Sequence, residues 1–173
     1  MSHEAKAVAN YFLDIAEESG VKLDPMKIQK LIFYAHGWNL ALRDEPLISE
    51  SLEAWQYGPV VPSVYHEFKH CGRKGIGGRA ADYDPSTGEI TEFEIGGDDA
   101  DFVKKLLKKI WEVYGDLSGI QLSKMTHESN GAWDRTWNEM GGNRFKSVSI
   151  DNEFIKDEFS QRIKKKNETS ERK

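Results

Sequence analysis

The sequence predicts one α+β domain, predominantly α-helical, with about seven helices and one or two small antiparallel β-hairpins. Three observations lead to this prediction. Apolar residues recur at three- and four-residue steps in several separate segments, a period typical of amphipathic helices. Short alternating segments bounded by Gly, Pro, Asp and Ser are typical of hairpin strands. The chain has 173 residues, enough for one substantial core, and we place that domain at residues 1–163.

Composition restricts the classes of protein to which the chain can belong. It has no run of about 18 apolar residues and no signal-peptide pattern, so we expect no membrane span and no secretion. Cys71 is the single cysteine, which excludes an intrachain disulfide and favours a reducing cytoplasm. Residues 164–173 carry five positive and two negative charges, so residues 1–163 hold a net charge of -8 within the total of -5. This acidic body argues against strong nucleic-acid binding and suits a basic partner.

The longest helical pattern follows Asp24, which is a good N-cap, and Pro25, which fits the first helical position. Pro46 is expected to end this helix. Its apolar stripe consists of Ile28, Leu31, Ile32, Ala35, Trp38 and Leu42. Two short strands are predicted next, at residues 47–49 and 52–56, with residues 50–51 joining them and a turn at residues 58–59. A shorter helix is expected from about Pro62 to Gly72.

Residues 72–97 differ in character, because seven of these 26 residues are glycine. Residues 84–88 (Asp-Pro-Ser-Thr-Gly) form a strong turn signal, and residues 89–95 have the alternation of a strand. We therefore predict an insertion that carries a hairpin. A partner-binding loop and an ordinary surface loop are both consistent with this composition.

The remaining segments predict helices and one unstructured end. Ser118 and Gln121 have the spacing of a capping box, and Asp98 or Asp99 and Asp151 are placed to cap two further helices. Apolar residues recur at helical spacing from Ala5, in the first predicted helix, to Ile163, in the last. In the fourth predicted helix the apolar positions are Phe102, Val103, Leu106, Ile110, Trp111 and Val113. The polar residues 164–173 are expected to form a disordered tail.

The most specific catalytic candidate is the string His66-Glu67-Phe68-Lys69-His70, which matches H-E-x-x-H. In zinc peptidases two histidines one helical turn apart bind the metal and the glutamate acts on its water. Three features argue against a metal site: Lys69 lies between the ligands, the predicted helix ends at Gly72, and no third ligand follows at the expected spacing. Cys71 beside His70 does not form a predicted nucleophile pair, because sequence neighbours on a helix do not face each other.

Aromatic side chains are the strongest remaining indication of a binding surface, because Trp and Tyr dominate interface hot spots. The partner-binding candidates are Trp38, Trp55, Tyr57, His127 and Trp133. Burial in the core is the alternative for each of them. His127 and His36 lack a nucleophile at a recognisable spacing, so neither indicates a catalytic residue.

Two separated blocks of sequence show a family resemblance. The strings KLIFYAHGWNLAL (residues 30–42) and EAWQYGPVVPSVY (residues 53–65), followed by LSGIQLSKMTHESNGAW (residues 117–133), resemble the Panacea antitoxin domain, the phage-associated GepA/SocA-like family. Order and spacing both agree, and the resemblance covers nearly the whole chain.

The resemblance implies an antitoxin of a bacterial or prophage toxin–antitoxin system, which neutralises a co-encoded toxin by direct protein binding. It implies a cognate protein toxin as the partner. The single cysteine favours a cytoplasmic location, and without a strong catalytic constellation we expect no enzymatic activity and no cofactor. Two alternatives stay open: a zinc-dependent hydrolase that uses His66, Glu67 and His70, and an adaptor that passes a bound partner to a host protease.

Overall fold

The computed structural model describes residues 1–171 of the chain. These residues form seven α-helices and two separate two-stranded antiparallel sheets, which confirms the predicted fold class. The elements are α1 (Ala5–Glu18), α2 (Pro25–Arg43), β1 (Glu53–Trp55), β2 (Gly58–Val60), α3 (Pro62–Phe68), β3 (Ala81–Tyr83), β4 (Ile90–Glu92), α4 (Ala100–Tyr114), α5 (Gly119–Thr126), α6 (Ala132–Asp134) and α7 (Asn152–Glu171). A 3-10 segment (Lys69–Lys74) follows α3, and a π-helical turn (Arg135–Glu139) continues α6.

Helix α2 lies at the centre and packs against α1, α4, α5 and α7. The Asp24 carboxylate accepts hydrogen bonds from the backbone N–H groups of Met26 and Lys27, both at 2.9 Å, so the predicted N-cap is confirmed. The helix ends at Arg43, where Asp44 adopts a left-handed conformation. Unlike an amphipathic helix, α2 is buried on nearly every side, including at the polar residues Lys30 and His36, because neighbouring helices surround it.

The first hairpin forms with a different partner strand from the predicted one. Strand β1 pairs with β2, in a register that places Trp55 opposite Gly58, so the two-residue turn is Gln56-Tyr57 and not residues 58–59. Residues 47–49 instead run beside the N-terminus, where the His3 N–H donates to the Leu47 carbonyl oxygen over 2.8 Å. The Gly-Pro signal was misleading because Gly58, with φ +107°, and Pro59 begin the returning strand.

The second hairpin, β3–β4, lies within the glycine-rich residues 72–97 and is anchored to α1 by one buried side chain. The Asn10 amide donates to the carbonyl oxygens of Ala80 and Phe93, both at 2.9 Å, and its oxygen accepts from the Ala80 N–H over 2.7 Å. Buried polar groups must be paired, so this side chain holds both strands of the hairpin at their base.

Helices α4 and α7 differ from the sequence expectation in detail. On α4, Phe102 and Val113 are exposed, whereas Leu107 and Tyr114 are buried, so the stripe is rotated from the predicted one. Helix α7 continues to Glu171, so residues 164–171 extend a helix where the sequence predicts a disordered tail; residues 172–173 lie outside the described part. Among residues 1–171, no helix combines the length and apolar character that crossing a membrane requires.

Candidate partner-binding surface

The turn between β1 and β2 is held from inside by three hydrogen bonds to distant parts of the chain. The indole N–H of Trp133 donates to the Trp55 carbonyl oxygen over 2.7 Å, and the Ser123 hydroxyl donates to the Tyr57 carbonyl oxygen over 2.7 Å. The Lys30 ammonium donates to the Pro59 carbonyl oxygen over 2.9 Å. The turn is therefore fixed to α2, α5 and α6, and its outer side chains are presented on a rigid support.

Behind this turn lies a stack of three rings. His127 stacks on Trp133 with ring centroids 3.8 Å apart, and Trp133 stacks on Trp137 at 5.4 Å. Trp133 is 6% exposed and therefore belongs to the core, while His127 and Trp137 are half-buried. Burial lowers the pKa of His127, and the nearby Lys30 ammonium lowers it further. We conclude that Trp133 and His127 support the turn from within.

Two grooves flank the turn. We call the first the Tyr65 groove; it measures about 420 Å³ and lies between the turn and the start of α2, with Met26, Lys30, Tyr57 and Tyr65 among its lining residues. The second, the Phe145 groove, measures about 510 Å³ and lies on the other side, lined by Trp137 and residues 142–147. Trp55 lines both, because its strand separates them.

Exposed aromatic side chains mark the outer side of this region. Tyr57 is 61% exposed and Phe145 is 69% exposed, although both are large and apolar in part. The Trp55 ring is half-buried against Tyr65, with centroids 4.7 Å apart. We call Trp55, Tyr57, Tyr65, Trp137 and Phe145 together the hairpin surface.

Trp38 does not belong to the hairpin surface. Its indole N–H donates to the Tyr114 hydroxyl over 3.1 Å, and its ring contacts Phe159 at a centroid distance of 5.4 Å. Trp38 therefore joins α2 to α4 and α7 in the core region. The structure brings four of the five predicted partner-binding residues together and leaves Trp38 elsewhere.

The two histidines of the H-E-x-x-H string lie in different helical segments. Helix α3 ends at Phe68, so it contains His66, whereas His70 lies in the 3-10 segment. Glu67 makes an ion pair with Lys6 at 2.8 Å. Within residues 1–171, no group of three or more His, Cys, Asp and Glu side chains is placed to hold a metal ion. The Cys71 sulfur lies 3.6 Å from His70 Nε2, a contact that the sequence did not predict.

The sequence-based candidates did not include four members of this region: Lys30, Tyr65, Trp137 and Phe145. Phe145 lies in a segment that reads as a connector, and no periodicity marks it. Lys30 occupies a position flanked by Gln29 and Leu31 inside an apolar helix, which is an unusual place for a charged residue. This unusual lysine is the feature of the sequence that could have indicated the Tyr65 groove.

Comparison with known proteins identifies the class of protein. A family model described as "Antitoxin SocA-like, Panacea domain" matches residues 28–134, a range that runs from α2 to the end of α6. The chain therefore belongs to the Antitoxin SocA-like, Panacea domain family. A relative with the name "Antitoxin SocA", from Caulobacter vibrioides (strain NA1000 / CB15N), is 33% identical over 158 residues, covering 91% of this chain and 83% of the relative. No solved structure gives a significant match.

Proposed function

We propose that this protein is an antitoxin that neutralises a co-encoded protein toxin by binding it directly, with the hairpin surface as the contact. Membership of the antitoxin family supports the general role. The observation that carries the location is the pair of exposed aromatic residues, Tyr57 within the turn and Phe145 beside it, where distant hydrogen bonds hold the turn in place.

Physical chemistry favours this surface as an interface. A few aromatic or arginine side chains carry most of the energy of a typical interface, and side chains on a rigid support lose little conformational entropy on binding. The two grooves, of about 420 and 510 Å³, are concave sites that can accommodate side chains of the partner. Trp55 and Tyr57 would contact the partner, while Trp133 and His127 keep the turn in position.

Charge supports a basic toxin as the partner. Residues 1–163 carry a net charge of -8, so they attract a positively charged protein at long range. Electrostatic attraction chiefly raises the association rate, which then falls as salt screens it. For a basic toxin we expect slower association at high salt with a smaller change in dissociation.

The test is co-expression of the neighbouring gene with this one in a growth assay, followed by size-exclusion chromatography of the two proteins. We expect the neighbouring gene alone to stop growth, and the pair to grow and to elute as a stoichiometric complex with an unmodified toxin. Rescue without a complex, accompanied by cleavage or modification of the toxin, would support the hydrolase instead. Rescue that requires a host protease and removes the toxin with time would support the adaptor.

Matched tyrosine variants locate the contact. Tyr57 and Tyr83 are exposed to nearly the same extent, 61% and 64%, but Tyr57 lies at the β1–β2 turn and Tyr83 on β3. We expect Tyr57→Ala to weaken toxin binding about tenfold or more and Tyr83→Ala to change it by less than about twofold. A larger loss of binding in Tyr83→Ala than in Tyr57→Ala would indicate that the toxin contacts the glycine-rich insertion.

A further inference from the structure

The buried lysine of the Tyr65 groove is the starting point. Lys30 is 1% exposed, and within residues 1–171 its ammonium makes one hydrogen bond, to the Pro59 carbonyl oxygen. An ammonium has three N–H donors, and a buried charge without full pairing is costly. Burial accordingly lowers the pKa of Lys30 to about 7. The amine is thus kept in a position that disfavours its charge.

The lysine is not the only residue of α2 that holds the hairpin. Gln29, the preceding residue, already exchanges two hydrogen bonds with the Val61 backbone, at 2.8 and 3.1 Å. A methionine at position 30 would fill a similar volume without the cost of burying an amine. The amine therefore calls for a counter-charge that residues 1–171 do not supply.

Lys30 is the one basic residue among the described residues that line the groove, although the protein as a whole is acidic. The other lining residues of the groove are neutral: Pro25, Met26, Gln29, Trp55, Gln56, Tyr57, Val60 and Tyr65. Past Pro25, Met26 and Tyr65 the groove adjoins a second cavity lined by the exposed cations Lys69 and Arg73. Asp24 is the acidic residue that lines this second cavity, and its carboxylate already accepts two backbone hydrogen bonds at the start of α2. Apolar and aromatic walls with one cation suit an apolar segment that carries a carboxylate.

We infer that the Tyr65 groove binds an apolar peptide segment of the toxin whose carboxylate pairs with the Lys30 ammonium. The inference rests on the proposed function for the identity of the partner, and it adds the chemistry by which the partner is recognised. The carboxylate comes either from an Asp or Glu side chain or from the C-terminus of the toxin, and both sources present the same group to the lysine.

The probes are three synthetic libraries of N-acetylated pentapeptides with apolar residues varied at the outer positions. The first has Asp in the centre and an amidated C-terminus, the second is identical but has Asn, and the third has Asn and a free C-terminal carboxylate. Affinity selection on the protein is read by mass spectrometry. We expect the Asp library, the free-carboxylate library or both to be retained at least about tenfold over the Asn amides. Retention of the Asp library indicates a side-chain carboxylate, and retention of the free-carboxylate library indicates a C-terminus.

Two lysine variants complete the experiment. Lys30→Met is expected to abolish the preference for carboxylates, whereas Lys27→Met, which replaces another buried lysine of α2 outside the groove, is expected to keep it. Equal retention of Asp and Asn peptides by the wild-type protein overturns the inference, and so does an unchanged preference in Lys30→Met. The wild-type comparison needs no variant, so it decides the matter even if Lys30→Met does not fold.

The proposed function is tested separately by the toxin complex. If Lys30→Met still forms the toxin complex and the wild type shows no carboxylate preference, the inference about the Tyr65 groove is wrong and the proposed antitoxin function stands. A carboxylate preference without any complex with a neighbouring gene product keeps the groove as a peptide site and rejects the toxin as its source.

Discussion

Gly37 of α2 and Phe159 of α7 are in direct contact: a Cβ atom added to Gly37 would lie 2.2 Å from Cε2 of the Phe159 ring. That ring is completely buried and meets Phe33, Tyr34 and Trp38 edge to face, so it has no free space into which to move. The glycine therefore allows α7 to pack closely on the central helix.

Gly37→Ala is expected to destabilise the fold although alanine favours helices. Overpacking costs about 1–3 kcal/mol, and the close approach to a buried ring places this variant at the upper end of that range. The gain in helix propensity is at most about 1 kcal/mol, so a net loss of about 2 kcal/mol is expected in denaturant unfolding. Gly77→Ala is the control, because a Cβ there meets nothing within 4 Å. Adding Phe159→Leu should recover part of the loss; a Gly37→Ala protein that unfolds like the wild type would contradict the contact.

Gly58→Val should destabilise the fold by about 3 kcal/mol or more. Gly58 has φ +107°, where β-branched residues are strained, and a Cβ would lie 2.5 Å from the Thr126 hydroxyl oxygen. Gly88→Val is the matched control, since Gly88 has φ +75° and nothing within 4 Å of a Cβ. Thermal unfolding of both variants separates backbone strain from crowding; equal losses would mean that the Thr126 contact is unimportant.

His36 should make the fold sensitive to mild acid. Its Nδ1 accepts from the Ile48 N–H over 3.4 Å and its Nε2 donates to the Asn152 side-chain oxygen over 2.9 Å, so the buried ring is neutral. Burial lowers the pKa of His36 below its usual 6.5. Protonation thus favours the unfolded chain, and the stability contributed by His36 is present above pH 6.5 and is lost as the pH falls through its lowered folded value.

The measurement is the free energy of unfolding of the wild type and of His36→Asn between about pH 7.5 and 5.5, a range that spans about one unit on each side of the ordinary histidine pKa. We expect the wild type to lose stability more steeply. Burial also lowers the pKa of His127, and it raises the pKa of Glu158, whose effect on stability has the opposite sign at lower pH. The relevant quantity is therefore the difference in unfolding free energy between the wild type and His36→Asn. His66→Ala, at an exposed position, should behave like the wild type; parallel curves for all three would refute the assignment.

Lys30→Met should stabilise the protein, and more so at neutral than at alkaline pH. The folded chain disfavours the charged amine between about pH 7 and the unfolded value of 10.5, so wild-type stability rises with pH across that window. The advantage of the variant should therefore be greatest at pH 7 and below and should shrink toward pH 10, by on the order of 3 kcal/mol. Urea unfolding at several pH values measures it, with the exposed Lys124→Met as the control. A loss of stability at pH 7 would show that the amine serves the fold.

His66→Ala should leave stability within about 0.5 kcal/mol of the wild type, because the side chain is exposed. Glu67→Ala removes the ion pair with Lys6 and should cost up to about 1 kcal/mol. Metal analysis of protein purified without a polyhistidine tag provides the second measurement. Stoichiometric zinc in the wild type that is lost in His66→Ala would favour the hydrolase alternative.

Two of the predicted helix caps were readable from the sequence, whereas Asp99 makes no side-chain capping hydrogen bond at the start of α4. The Asp24 cap of α2 and the reciprocal Ser118–Gln121 capping box both form as predicted, because donor and acceptor lie two or three residues apart. The helical periods, the fold class and the family resemblance followed from patterns of the same kind.

Tertiary structure decided which faces were buried and which strands met. The strand of Trp55 pairs with residues 58–60, and its carbonyl oxygen receives the Trp133 indole N–H from 78 residues along the chain. Asn10 anchors the second hairpin across 70 residues. No local pattern encodes such contacts, because they exist only when separate elements are packed together. The same packing surrounds α2 on nearly every side, so Lys30 is buried although it is a charged residue.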